Sequence, residues 1–253
     1  MERIGEREIW YYIPFTDIPF GVGPFVGLNV LTVFNTLLVM VLLWGLLYWA
    51  TRRRSMVPTR GQLLVEMAMK AFDDLVSSAL ELPSKQENRR FFPLIFSLFV
   101  FLLLANFMGF IPSYLFEEPT ADINTTLALG IMAMAIAVYC GIRVKGFGFF
   151  IEFLGPMWNQ EGAKGAAYAA GKASALFFFP LNFIGEIAKV ISISFRIFGN
   201  ILGGAIIIVV VSSLTYYMAF PIPLDFFFVF FVGTVQAFVF TMLTLTYIAV
   251  AIK

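Results

Sequence analysis

Five long apolar stretches organise the chain: Asn29 to Thr51, Phe91 to Ile111, Thr125 to Ile142, Leu176 to Phe220 and Leu224 to Ile252. Each is close to or beyond the ~20 residues that carry a helix across a hydrocarbon core. Lipid offers no partner for an exposed peptide group, so stretches of this kind are satisfied as helices. The pattern predicts an all-α integral membrane protein with about five transmembrane helices, at about 29–51, 91–111, 125–142, 180–217 and 224–252. Residues 1–28 are expected to form an external N-terminal segment, and 29–253 a single membrane domain. The fourth span is too long to stand upright, because Glu186 to Tyr216 alone would rise about 45 Å against a core of about 30 Å. No proline interrupts Leu181 to Phe220, and Gly199, Gly203 and Gly204 are spaced for helix packing rather than for a turn. One strongly tilted helix is therefore expected, followed by a second long and tilted span.

Polar positions orient these spans. The connection after the first span carries Arg52, Arg53, Arg54, Arg60, Lys70, Lys85, Arg89 and Arg90, and the one after the third carries Arg143, Lys145, Lys164 and Lys172. The opposite connections hold Glu117, Glu118, Asp122 and Asp225 without Lys or Arg. Basic loops stay cytoplasmic, which predicts an external N-terminus and a cytoplasmic C-terminus. Within the first basic loop, Thr59 to Leu82 places Leu63, Leu64, Met67, Ala71, Leu75 and Val76 on an apolar stripe, as expected of a cytoplasmic amphipathic helix at the interface.

Composition agrees: 60% of the 253 residues are hydrophobic and 13% charged, with a net charge of +1. Basic residues avoid the apolar runs, which excludes a nucleic-acid footprint. With one cysteine, Cys140, and no histidine, intrachain disulfides, Cys/His zinc sites and histidine acid–base catalysis are excluded. No cofactor or metal is expected. The mixed charge, Pro and Gly of the first 28 residues do not resemble a cleavable signal peptide.

The exception to apolarity is Arg196. A guanidinium keeps its charge under protein conditions, and a charge near the bilayer centre costs about 2.5 to 3.5 kcal/mol even on lenient scales. At 100° per residue, Lys189, Ser192, Arg196, Asn200 and Gly203 share one narrow stripe, with Glu186 one turn before Lys189. In the last span Asp225, Gln236 and Tyr247 recur every 11 residues, with Thr244 at the edge of the same face. Two polar faces on neighbouring antiparallel helices would make a wet seam. Plainer readings stand beside this one: Gln236 as interhelical glue, Asp225 as an N-cap after Pro221 and Pro223, Glu186 and Lys189 as an interfacial ion pair. Arg196 has no carboxylate of this chain at its own depth, so its partner is expected on another subunit.

At these residues the chain strongly resembles subunit a of the bacterial F-type ATP synthase. The resemblance runs through Leu104-Ala-Asn-Phe-Met-Gly-Phe-Ile-Pro112, Pro119-Thr-Ala-Asp122-Ile-Asn124, Ser194-Phe-Arg-Ile-Phe-Gly-Asn200 and Gln236-Ala-Phe-Val-Phe-Thr-Met-Leu-Thr-Leu-Thr-Tyr247. It implies a non-catalytic, ion-translocating stator subunit of a bacterial inner membrane, most simply a proton channel. Its partners would be a c-ring and the b-type subunits of a peripheral stalk. Arg196 would face the essential c carboxylate between two offset half-channels, with Gln236 beside it. Two positions depart from the common pattern: Ala205 replaces an acidic residue nine positions after the arginine, and Val229 replaces a histidine seven before the glutamine. The expected external path is therefore Asp225 with Asn200, Asp122 and Asn124, and the cytoplasmic path is Glu186, Lys189 and Ser192. A stand-alone secondary ion transporter is the alternative, but no inverted repeat is evident.

Overall fold

The computed structural model describes residues 30–52, 60–81, 85–111, 118–146, 148–149, 166–215 and 221–252. The N-terminal segment 1–28 and most of the connection between the third and fourth spans lie outside the described residues. Among the described residues the chain is helical throughout, without a strand. In chain order the helices are α1 (Val30–Arg52), α2 (Arg60–Leu80), α3 (Lys85–Phe107), α4 (Ile123–Lys145), α5 (Ala166–Leu214) and α6 (Pro221–Ile252). Five of them, all but α2, are long and apolar enough to cross a membrane.

The bundle is built around α4. Helix α4 packs on both α5 and α6, α3 packs on α6, α2 packs on α3 and α6, and α1 packs on α3. One core cluster joins Val76 of α2, Ile95 of α3, and Leu245 and Ile248 of α6. The other joins Val39, Leu102, Ile193, Ile197 and Phe240. On α5 the inward positions Ile193, Ser194 and Ile197 are buried, while Phe195, Leu202, Ile206 and Val209 face outward. The helix therefore lines an edge of the bundle, with an apolar outer surface suited to lipid or to another membrane subunit.

Helix α5, the fourth span, differs from its expected bounds. It starts at Ala166 and continues through Pro180, where proline removes one backbone hydrogen bond without ending the helix. Its apolar part, Phe179–Leu214, has 36 residues and would rise about 54 Å as a straight helix. To lie wholly within a core of about 30 Å it would incline by roughly 55°. The last span also starts earlier than expected, at Pro221, because a proline in the first turn is preset for helical φ and needs no amide partner there. Asp225 is therefore inside the helix and is not its N-cap.

Helix α2 is amphipathic as expected, but its apolar side is divided. Phe72, Val76 and Leu80 are buried in the bundle, whereas Leu63, Leu64 and Met67 are exposed. At the end of α4, Gly146 adopts φ +59° and its amide bonds to the Ile142 carbonyl at 2.8 Å, a left-handed helix stop that favours glycine.

Candidate ion-translocation site

The polar stripe on α5 runs along its outer edge. Ser192, Arg196 and Asn200 are exposed, and Lys189 is half-buried. Among the described residues Arg196 has no ion-pair partner. A charged group this costly in lipid is thus presented outward, where a carboxylate from another subunit could meet it.

A cavity of about 220 Å³ opens beyond Arg196 towards the α5–α6 connection. Asn200, Asp225 and Gln236 line it, together with Asn106 and Glu118, which the sequence reading did not single out. Asn200 donates from Nδ2 to Oε1 of Gln236 at 2.8 Å, which ties the polar faces of α5 and α6 together. Gln236 is only 6% exposed and its Nε2 has no partner among the described residues, a buried donor on a residue that lines this cavity. Asn106, at the end of α3, donates from Nδ2 to the Gly233 carbonyl at 2.9 Å and accepts from Thr120 Oγ1 at 3.1 Å. It thereby holds α3, α6 and the short helical turn Pro119–Ala121 in one place.

Between Asp225 and Gln236, α6 is wound as a π-helix over Phe227–Val232. Such segments are rare and frequently sit at functional sites. The wider turn sets Val229 inward, where it and Ala205 also line the cavity. No proline or glycine marks this segment from within, so the apolar run Phe-Phe-Val-Phe-Phe-Val did not disclose it.

Asp122 and Asn124 are not among the residues lining this cavity. Asp122 caps α4, its carboxylate accepting the Asn124 amide at 2.9 Å. That oxygen satisfies an orphan amide of the helix start.

Towards the other end of α5 and α6 lies a second cavity, of about 520 Å³. It is lined by Asn182, Glu186 and Lys189 from α5 and by Thr246 and Tyr247 from α6. Lys189 Nζ is 2.5 Å from Glu186 Oε1 and 5.7 Å from the Tyr247 ring centroid. Asn182 and Thr246 are additions to the expected set, and Ser192 is not among the residues that line it. Thr244 is buried and bonds to the Phe240 carbonyl at 3.0 Å, a packing role rather than a lining one. Arg196 lies between the two polar groups along α5, about 10 Å from Lys189 and about 6 Å from Asn200 along the axis, and lines neither cavity.

The arrangement provides two separate cavities, each with polar and charged groups in its lining, and an outward cation between them. The family model described as ATP synthase A chain matches residues 33–249. ATP synthase subunit a of Moorella thermoacetica is 35% identical over 86% of this chain and 88% of its own length. That of Gloeobacter violaceus is 34% identical over 88% and 83%. The sodium-ion-specific subunit a of Propionigenium modestum is 32% identical over 95% and 83%. With five helices able to span a membrane and a match over most of its length, the chain belongs to the ATP synthase A chain family: a non-catalytic, multi-pass membrane subunit of the ATP synthase complex with an ion-translocating stator role.

Proposed function

We propose that this subunit gives a c-type ring two offset half-channels, with Arg196 as the barrier between them. The observation that carries the reading is the pair of cavities with polar groups towards opposite ends of α5 and α6, with an outward Arg196 between them that has no ion-pair partner among the described residues. The excess of Lys and Arg in the loops after the first and third spans puts the Asp225 cavity on the external side and the Glu186 cavity on the cytoplasmic side. Ions reach a carboxylate of the ring past Asp225, Asn200 and Gln236, ride the ring round, and leave past Glu186 and Lys189. Opposite Arg196 the arriving carboxylate is held ionised by the guanidinium, which releases its ion before it passes. The same fixed charge repels an ion moving directly from one cavity to the other. The membrane potential contributes about 2.3 kcal/mol per charge per 100 mV, which rotation delivers to distant ATP chemistry. Peripheral-stalk subunits of b type would hold this stator against the torque, and the complex would reside in a bacterial inner membrane. Asp122 and Asn124, outside the lining of the cavity, would act at its external approach.

Arg196→Ala in the assembled complex is expected to abolish ATP-driven ion pumping in reconstituted vesicles. Pumping at the wild-type rate would refute the barrier role.

A further inference from the structure

We propose that Glu118, supplied by the connection between α3 and α4, is the proton relay of the external cavity, acting across it with Asp225. The inference rests on the half-channel reading and names the group that would do its chemistry. Glu118 immediately precedes the turn Pro119–Ala121, whose Ala121 amide bonds to the Glu118 carbonyl at 3.0 Å. Thr120, fully buried, anchors that turn to Asn106, so the backbone beneath Glu118 is tied to α3 and α6. The side chain folds back over Gly109, where a Cβ would collide with the Glu118 carboxylate. A residue without a side chain at position 109 is what gives the carboxylate its seat.

The cavity facing Glu118 contains few other groups that titrate. Among the described residues, α3 and the turn after it supply Asn106 and Gly109, α5 supplies neutral residues including Asn200 and Ala205, and α6 supplies Gln236, Val229 and one further carboxylate, Asp225. No Lys or Arg is among the described residues that line it. An acidic pair alone would not make a site, but the buried Nε2 of Gln236 in the same cavity has no acceptor. A donor left open in a space of about 220 Å³ that also holds the carboxylates of Glu118 and Asp225 calls for water. Waters between Glu118 and the Asn200–Gln236 bridge would complete a proton path inward.

In the relay, hydronium in the outer water gives its proton to the ionised Glu118 carboxylate and leaves as water. The resulting carboxyl group passes that proton to water on its inner side and returns to carboxylate. Burial first, and the nearby Asp225 charge second, push Glu118 up to about 7, so it is partly protonated at neutral pH. A group poised in this way can both take up and release a proton there.

The test uses the whole complex in proteoliposomes, with proton flux through the membrane sector driven by a potassium diffusion potential while pH on the cavity side is varied. Wild-type flux should titrate with a midpoint near 7. Glu118→Gln should lower flux at least about tenfold and remove the midpoint. Glu118→Asp, which keeps a carboxylate, should retain flux with a displaced midpoint. If Glu118→Gln fails to assemble, Glu118→Asp decides, and an unmoved midpoint overturns the proposal. Wild-type flux and midpoint in Glu118→Gln would also overturn it, as would flux that follows sodium concentration instead of pH. Arg196→Ala in the same preparation separates the two failures: abolished pumping there keeps the half-channel reading even if Glu118 is dispensable.

Discussion

Asn106→Ala tests whether one buried amide holds the external cavity together. Asn106 is 5% exposed and makes two side-chain hydrogen bonds, to the Gly233 carbonyl at 2.9 Å and from Thr120 Oγ1 at 3.1 Å. In membrane proteins such bonds contribute about 0.6 kcal/mol on average and up to about 1.7 kcal/mol. The two losses are unequal. The Gly233 carbonyl can still serve the amide four residues on in its own helix, so its loss is near the average. The Thr120 hydroxyl, with no exposure, is left without an acceptor, which costs about 1–3 kcal/mol. The sum is about 2–4 kcal/mol, measurable by reversible detergent-driven unfolding of the subunit in mixed micelles followed by circular dichroism. Thr120→Val removes the hydroxyl that would be orphaned. The double variant should therefore lose less than the two single losses added together, by about 1 kcal/mol. Strict additivity, or an Asn106→Ala variant within about 0.5 kcal/mol of wild type, would refute the reasoning.

Gly130→Val should force α4 and α5 apart, since a Cβ at Gly130 runs into Ser194 Oγ and comes within 3.3 Å of the Val190 carbonyl. A loss of about 1–3 kcal/mol is expected in the same unfolding assay, and unchanged stability would mean that the close approach is not needed. Lys189→Met removes the cation beside Glu186 and over Tyr247 in the cavity assigned to the cytoplasmic side. ATP-driven pumping should slow by a few fold, with a larger deficit at low ionic strength, and wild-type pumping at low salt would take Lys189 out of the path.

Hydropathy alone disclosed the five spanning helices, because a chain in lipid has no other way to satisfy its peptide groups over such lengths. The helical period likewise collects Lys189, Ser192, Arg196 and Asn200 on one face of α5, because their positions relative to one another depend only on 100° per residue. The period was less reliable in α6. The spacing of Asp225, Gln236 and Tyr247 assumed regular α-helix, whereas the π-helical segment Phe227–Val232 changes the winding between the first two, and Tyr247 lines the other cavity.

What the sequence determined by itself were properties of single segments: which stretches enter the membrane, which faces of them are polar, and that Arg196 lacks a partner at its depth. Only the tertiary structure decided which polar residues share a space. Asp122 and Glu118 lie four residues apart in one acidic connection. Asp122 is taken by the start of α4, while Glu118 is turned over Gly109 into the cavity. That division depends on Thr120 meeting Asn106 and on Asn106 meeting Gly233, 127 positions away. Contacts at such separation leave no local signal in composition or period, because they arise only when α3, α4 and α6 have packed together.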